Sequence, residues 1–431
     1  MNNRFILKGT ICHTPSLGRL EIHENAYTVC MDGICEGIFD EVPPEFRGLR
    51  MIDCTGDLVI PGMTDLHIHA PQYSYIGTGM DYELLEWLDN RTFPAENRYR
   101  DTKYAEAAYA VFAEKMKNSA TTRAVIFGTI HRESTLILMD LMEKSGLVTL
   151  VGKVNMDRNA PSYLLEPDAE SAAEDTRRFL CEVQERRYVR TKPIITPRFV
   201  ISCSDALMEE LGTIAAEKKL PVQSHLSENP DEIEFVKQLS PESRFYGDAY
   251  DRCGLFGRQS PCVMAHCVHS TEEEAQRIRD NGVYIAHCPA SNMNLASGIA
   301  PIRKYLDMGI HVGLGTDVGA GHTVSVFRTV TEAIQVSKLY KRLVDPGAKA
   351  LTFAESFYLA TKGGGSFFGN AGSFEKGCGF DAIVLDDSKE LVSGAEDAAG
   401  RLERAFYLGI DRTGIVRKFA AGREIELHKE G

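Results

Sequence analysis

From residue 61 to about residue 360 the chain repeats one pattern eight times: a short apolar segment, a polar or glycine-containing turn, then a longer stretch with helical spacing. The apolar segments are 57–72, 123–131, 148–157, 193–202, 221–228, 262–269, 283–289 and 311–318. Helical stretches between them include 104–118, 170–185, 203–218, 231–239 and 271–281. Strands that alternate with helices form a parallel sheet covered by those helices. Eight such units fit a TIM-type (β/α)8 barrel; a doubly wound open sheet is the runner-up and typically holds fewer units.

The two ends of the chain have a different texture. Residues 1–60 read as short strands at 4–12, 26–31 and 37–39, separated by Gly, Asn, Asp and Pro. Residues 380–385 and 414–419 are again strand-like, with a glycine turn at Ala421-Gly422. The expectation is an α/β chain in two parts. The barrel takes residues 61–365, and 1–60 with 366–431 form a small, discontinuous, β-sandwich-like domain. His13 and His23 read as exposed loop residues. The run KGGGS (362–366) lacks the Gly-x4-Gly-Lys-Ser/Thr phosphate-loop pattern and reads as a flexible turn or helix start.

Composition removes several function classes. At 43% apolar and 25% charged, the 431 residues suit a water-soluble fold with a large core. A net charge of −13 with no Lys/Arg run disfavours nucleic-acid or anionic-membrane partners. Eleven scattered Cys with no CxxC suggest reduced thiols in the cytoplasm, not a disulfide scaffold. The opening MNNRFILKGTICHTP has no long apolar core, so no signal peptide is expected, and no stretch approaches a membrane span.

The polar residues that break the pattern fall at the C-terminal ends of the strand segments: His67 and His69, Arg198, His225 and Glu228, His266, and Asp317. Active sites of such barrels lie at that end. Thr64 to His69 alternates polar and apolar, so His67 and His69 leave one strand face with Cα atoms roughly 6.6 Å apart, close enough to share an ion. An isolated HxH is more often two histidines in a half-exposed strand. Here His225 and Asp317 complete a set of three imidazoles and a carboxylate, which suits a metal with room for water. A metal lowers the pKa of bound water from about 15.7 to about 7. Glu228, a second carboxylate, can shuttle protons, and His266 is placed to hydrogen-bond the attacking hydroxide.

These motifs resemble the amidohydrolase superfamily, in which HxH ends the first strand and single His, His and Asp end strands five, six and eight. The HxxE spacing of His225 and Glu228 is similar to its mononuclear deaminase branch. PGMTDLHIHAPQYS (61–74), LLEWLDNRTFPAE (84–96), VGKVNMD (151–157), TPRF (196–199), QSHLSEN (223–229), AHCPASN (286–292) and GLGTDV (313–318) resemble its guanine-deaminating members across nearly the whole chain. The resemblance implies one zinc per subunit on His67, His69, His225 and Asp317, with ferrous iron accepting the same ligands. It also implies a homodimer and hydrolysis of guanine to xanthine and ammonia. Glu228 moves the proton, with His266 and Asp317 also catalytic. Gln72, Arg198 and Glu228 would hold the purine, with Phe199 as an apolar wall. Two rivals are a related amidohydrolase acting on another purine or a triazine, and a non-catalytic barrel scaffold.

Other candidates have plainer readings. Lys153 could be a carboxylated metal bridge, but HxxE argues for one metal, so it reads as structural. Trp87, spaced helically with Leu84 and Leu88, reads as core or lid packing. His131-Arg132-Glu133 lacks the Pro-Cys-x-x-Cys partner of cytidine-type deaminases. His287 reads as a buried, hydrogen-bonded residue, and His269, His311 and His322 as surface or strand-end residues. Cys267 and Cys288 read as small buried fillers.

Overall fold

Two four-stranded parallel sheets carry the repeating pattern in the computed structural model, which describes residues 3–390 and 397–428. The first runs Met63–His69, Thr121–Phe127, Val148–Gly152, Thr191–Pro193; the second runs Val222–Leu226, Cys262–His266, Tyr284–His287, Val312–Leu314. Every residue of Met63–His69 and of Thr121–Phe127 is buried. That is the signature of parallel strands covered on both faces.

Backbone hydrogen bonds join the two sheets on both flanks. On one side Ile195 donates to the Pro221 carbonyl at 2.9 Å and Gln223 donates back to Ile195 at 3.0 Å. On the other, Asp317 donates to the His67 carbonyl and His69 to the Val318 carbonyl, each at 2.9 Å.

The helices start where local chemistry lets them. Asp101, Asp168, Ser204 and Thr271 each accept a first-turn backbone N–H, and Asn229 with Glu232 forms a capping box. The helices Thr102–Asn118, Ala169–Arg186, Asp205–Lys218, Pro230–Leu239 and Glu272–Asn281 lie on the stretches read from the sequence. Arg132–Ser145, Val326–Leu343 and Ala398–Leu408 add to them, the last inside a stretch read as strand-like. The helices from 326 and 398 pack through Phe327 and Phe406, whose rings stack at 3.8 Å.

The chain ends build one seven-stranded sheet, in the order Arg423–Glu424, Ile415–Ala420, Ala382–Leu385, Arg50–Pro61, Arg4–Ser16, Arg19–Met31, Ile34–Phe39. Ala382–Leu385 pairs antiparallel with Arg50–Pro61, so the C-terminal strands sit beside the strand that leads directly into Met63–His69. Arg123 and Asp381, both buried, pair at 2.5 Å between that sheet and the first parallel sheet.

Three sequence readings need correction. The first hairpin is longer than its apolar runs suggested, so His13 and His23 lie in strands, His13 nearly fully buried. The glycines of 362–366 do not make a flexible turn. Leu359–Gly363 continues a helix, and a Cβ on Gly313 would stand 2.8 Å from the Gly364 Cα. Glycine is needed there for close approach of backbone to backbone. His287 is buried, but neither ring nitrogen has a hydrogen-bond partner among the described residues. Among the described residues, no helix is long and apolar enough to cross a membrane. All eleven cysteines are unpaired thiols.

Candidate active site

Strand ends deliver the donors to one place. The Nε2 atom of His69 lies 3.2 Å from that of His67 and 3.1 Å from that of His225. Asp317 Oδ1 lies 3.1 Å from His67 Nε2 and 3.4 Å from His69 Nε2. Four donors on a tetrahedral ion with bonds of about 2.1 Å stand about 3.4 Å apart, so these four spacings match those between zinc ligands. His225 Nδ1 donates to the Arg198 carbonyl at 2.7 Å, which leaves Nε2 with its lone pair facing inward. Burial, reinforced by neighbouring imidazoles, holds His69 and His225 well below the usual imidazole range. Burial alone would raise the Asp317 carboxyl, but His67 beside it holds it far below the carboxylate range. Two neutral imidazoles and an ionised carboxylate crowded together call for a cation between them.

The strand ends are held in unusual conformations. Ser227, His266 and Asp317 have φ of 46°, 75° and 47°. Left-handed backbone at a non-glycine residue costs on the order of 1–3 kcal/mol and persists where the surroundings over-determine it. Asp65 supplies part of that constraint: its carboxylate accepts the backbone N–H of His67 at 3.2 Å and of Thr316 at 3.0 Å, and the Thr316 hydroxyl at 2.6 Å. One buried side chain thus ties the strand of His67 to the segment of Asp317.

Glu228 stands beside this cluster with Oε2 3.4 Å from His266 Nε2, while Ser297 donates to Oε1 at 3.1 Å. Burial, with Asp317 nearby, pushes its carboxyl up to about 8. Its backbone is pinned as well: Glu232 accepts the N–H of Glu228 at 2.9 Å and the Tyr246 hydroxyl at 2.7 Å. His266 Nδ1 donates to Asn292 Oδ1 at 2.9 Å, leaving Nε2 as an acceptor that no described residue hydrogen-bonds.

A pocket of about 400 Å³ opens over these groups, lined also by Gln72, Leu84, Trp87, Leu88, Arg198, Phe199 and Leu295. Its polar wall is organised by Glu96, a residue the sequence reading passed over. Arg198 grips Glu96 through Nη1 at 2.6 Å and Nη2 at 3.1 Å. Gln72 donates to the same carboxylate at 3.1 Å and accepts from the Gly319 N–H at 3.0 Å. An end-on grip leaves the Arg198 Nε–H and outer N–H groups free for a ligand. Trp87 is both wall and packing: it lines the pocket while its indole donates to the Thr78 carbonyl at 3.3 Å.

The structure therefore brings together His67, His69, Gln72, Arg198, Phe199, His225, Glu228, His266 and Asp317. Lys153 lies elsewhere, fully buried in an ion pair with Glu166 at 2.6 Å. Burial holds the Cys267 and Cys288 thiols well above their ordinary range, as inert fillers. Glu96, Ser297 and Asp65 were missed. Asp65 carried a signal, since it shares the i, i+2 parity of His67 and His69. Glu96 lay within the quoted 84–96 motif, but nothing in its spacing pointed to Arg198.

Residues 58–418 match the Amidohydrolase family. The chain is 39% identical to the guanine deaminase of Mus musculus over 383 residues, 86% of this chain and 83% of that one. It is 36% identical to the guanine deaminase of Escherichia coli K12 over 386 residues, 87% and 84% of the two chains. Among solved structures it is similar to guanine deaminase from C. acetobutylicum with guanine bound in the active site, with a TM-score of 0.95 and 45% identity, covering 98% of this chain and all of that one.

Proposed function

From the premise that this chain belongs to the amidohydrolase family, we propose that it deaminates guanine hydrolytically, giving xanthine and ammonia. The observation that carries the reading is the pairing, in one pocket, of a His/Asp donor set with a guanidinium and an amide both anchored on Glu96.

His67, His69, His225 and Asp317 would hold one zinc ion per subunit. A bound divalent ion supplies water acidified to a pKa of about 7. The remaining chemistry belongs to the chain. Arg198 and Gln72 orient the purine edge, and Phe199 with Leu84, Leu88 and Leu295 excludes water around the ring. As water adds to C2, its proton passes to Glu228. Glu228 returns that proton to a ring nitrogen; the proton left on the new C2 hydroxyl then passes through Glu228 to the exocyclic amine, the C2–N bond breaks, ammonia leaves and C2 remains as the carbonyl of xanthine. A buried carboxyl whose proton affinity sits near neutrality can both take and give a proton. His266 Nε2 accepts a hydrogen bond from the attacking water.

Among the described residues, Ser297 is the one side chain that hydrogen-bonds the Glu228 carboxyl. Ser297→Ala is expected to lower kcat for guanine about tenfold, the equivalent of one hydrogen bond of about 1.4 kcal/mol, with KM unchanged and Ser297→Thr restoring most of the rate. Steady-state kinetics of the two variants check this; a rise in KM alone contradicts it.

The wider architecture is part of the same reading. The hydrogen bonds on both flanks of the two parallel sheets support one closed (β/α)8 barrel over 61–365. The seven-stranded sheet supports a discontinuous domain from 1–60 and 366–431. A homodimer is supported by Leu339, Leu343 and Val344, exposed at the end of helix Val326–Leu343. A cytoplasmic location is supported by the eleven unpaired thiols.

Ammonia release from guanine, adenine, cytosine and thiomethyladenosine tests the assignment. Guanine is expected to be turned over far faster than the others. No ammonia from guanine rules the assignment out, and preferred release from another base moves the chain to a neighbouring amidohydrolase activity.

A further inference from the structure

The first hairpin gathers a second set of donors. The register of Arg4–Ser16 against Arg19–Met31 places His13 opposite Glu21 and Ile11 opposite His23. Glu21 and His23, two apart on one strand, leave the same face, and His13 joins them from across the ladder. His13 Nε2 lies 3.3 Å and His23 Nε2 3.8 Å from one oxygen, Glu21 Oε2. The three donor atoms all lie within 4.8 Å of one another. A tetrahedral ion with bonds of about 2.1 Å needs donors about 3.4 Å apart, so a small inward swing of the half-exposed His23 ring closes the set.

The surroundings are those of a built site. The His23 Nε2 atom is buried yet has no hydrogen-bond partner among the described residues, although it faces a carboxylate. Arg19 occupies the other Glu21 oxygen at 2.6 Å and so turns Oε2 toward the imidazoles. Behind His13, Ser373 donates to Glu375 at 2.9 Å, which leaves its oxygen to accept from His13 Nδ1 at 3.1 Å. The Phe374 N–H reaches the same nitrogen only at 3.4 Å, the weaker claim. With Nδ1 as donor, His13 Nε2 presents its lone pair to the cluster, the arrangement that orients metal-bound imidazoles. Lys362 holds Glu375 in turn and also donates to the Pro15 carbonyl at 2.7 Å.

We propose that His13, Glu21 and His23 form a second metal site, a structural one for a divalent transition ion such as zinc, which fastens the first hairpin to the segment around Ser373. None of its residues belongs to the catalytic set, and turnover does not depend on it. An ion bound there stabilises the folded chain by mass action.

Zinc content measured after equilibration of the holoenzyme with buffered micromolar free zinc tests this. The unaltered protein is expected to carry one zinc ion per chain more than either Glu21→Gln or His23→Ala. All three should turn guanine over at the same rate, and only the unaltered chain should show a higher unfolding temperature on going from one zinc to two. Equal zinc content in the unaltered chain and both variants overturns the proposal. So does an extra ion whose loss tracks the loss of guanine turnover, which would place it at the catalytic set.

Discussion

Glu228→Gln is expected to cut kcat for guanine by about 10²–10⁴-fold while the protein keeps its full metal content. The amide has the shape of the carboxyl and retains the hydrogen bond from Ser297 to Oε1. What it loses is the ability to carry a proton. The residue is almost fully buried, and its surroundings raise the carboxyl to about 8 through burial and the charge of Asp317. No other described carboxylate is so placed: Asp317 faces His67 and His69, and Glu232 is committed to the backbone of Glu228 and to Tyr246. Metal analysis with steady-state kinetics on one preparation separates the outcomes. A near-normal rate removes Glu228 from the proton path. Lost metal with lost rate makes it a structural support of the ion.

The second large effect is at Arg198. Arg198→Ala is expected to raise KM for guanine by about 100-fold, since a buried pocket that loses a paired hydrogen-bonding group gives up about 3 kcal/mol. It should also destabilise the chain, because Glu96 is left as a buried, uncompensated charge, at a cost of about 3–5 kcal/mol. The double variant Arg198→Ala/Glu96→Ala distinguishes the two effects. Removing the stranded carboxylate should return much of the lost unfolding midpoint while KM stays high. Urea unfolding and guanine kinetics on the three proteins check this. An unchanged KM in Arg198→Ala would remove the guanidinium from substrate recognition. Persistent instability in the double variant would show that Glu96 does more than neutralise Arg198.

The parts of this site readable from the chain are those that obey short periods. His67 and His69 stand two apart on a strand, so their convergence is a local property. Strand segments such as 124–127, 148–151 and 262–265 were recognisable because parallel strands buried on both faces are rich in apolar residues. Segment 193–202 was harder. Pro193 and Pro197 each end a short strand, and the structure splits the region into Thr191–Pro193, Thr196–Pro197 and a turn at Val200–Ser202. Glu96 was out of reach because its meaning lies in a contact 102 residues away, with Arg198. Ser297 follows the helix Pro289–Asn294, in a loop whose path no local pattern sets, so its approach to Glu228 is a product of packing alone. The glycines at 363–365 show the same limit. Read alone they suggest mobility, while Gly364 serves a close approach to Gly313. Family resemblance supplied Gln72 and Arg198, and the structure adds the Glu96 carboxylate that holds both in place.

The proposed turnover depends on an ion that His67, His69, His225 and Asp317 would hold. Chelator-stripped protein, titrated with zinc while the loss of guanine to xanthine is followed by absorbance, tests it most directly. The stripped chain should be inactive, with turnover rising in proportion to added zinc and levelling at one ion per chain. Full turnover in the stripped protein, or none at any zinc loading, would contradict it.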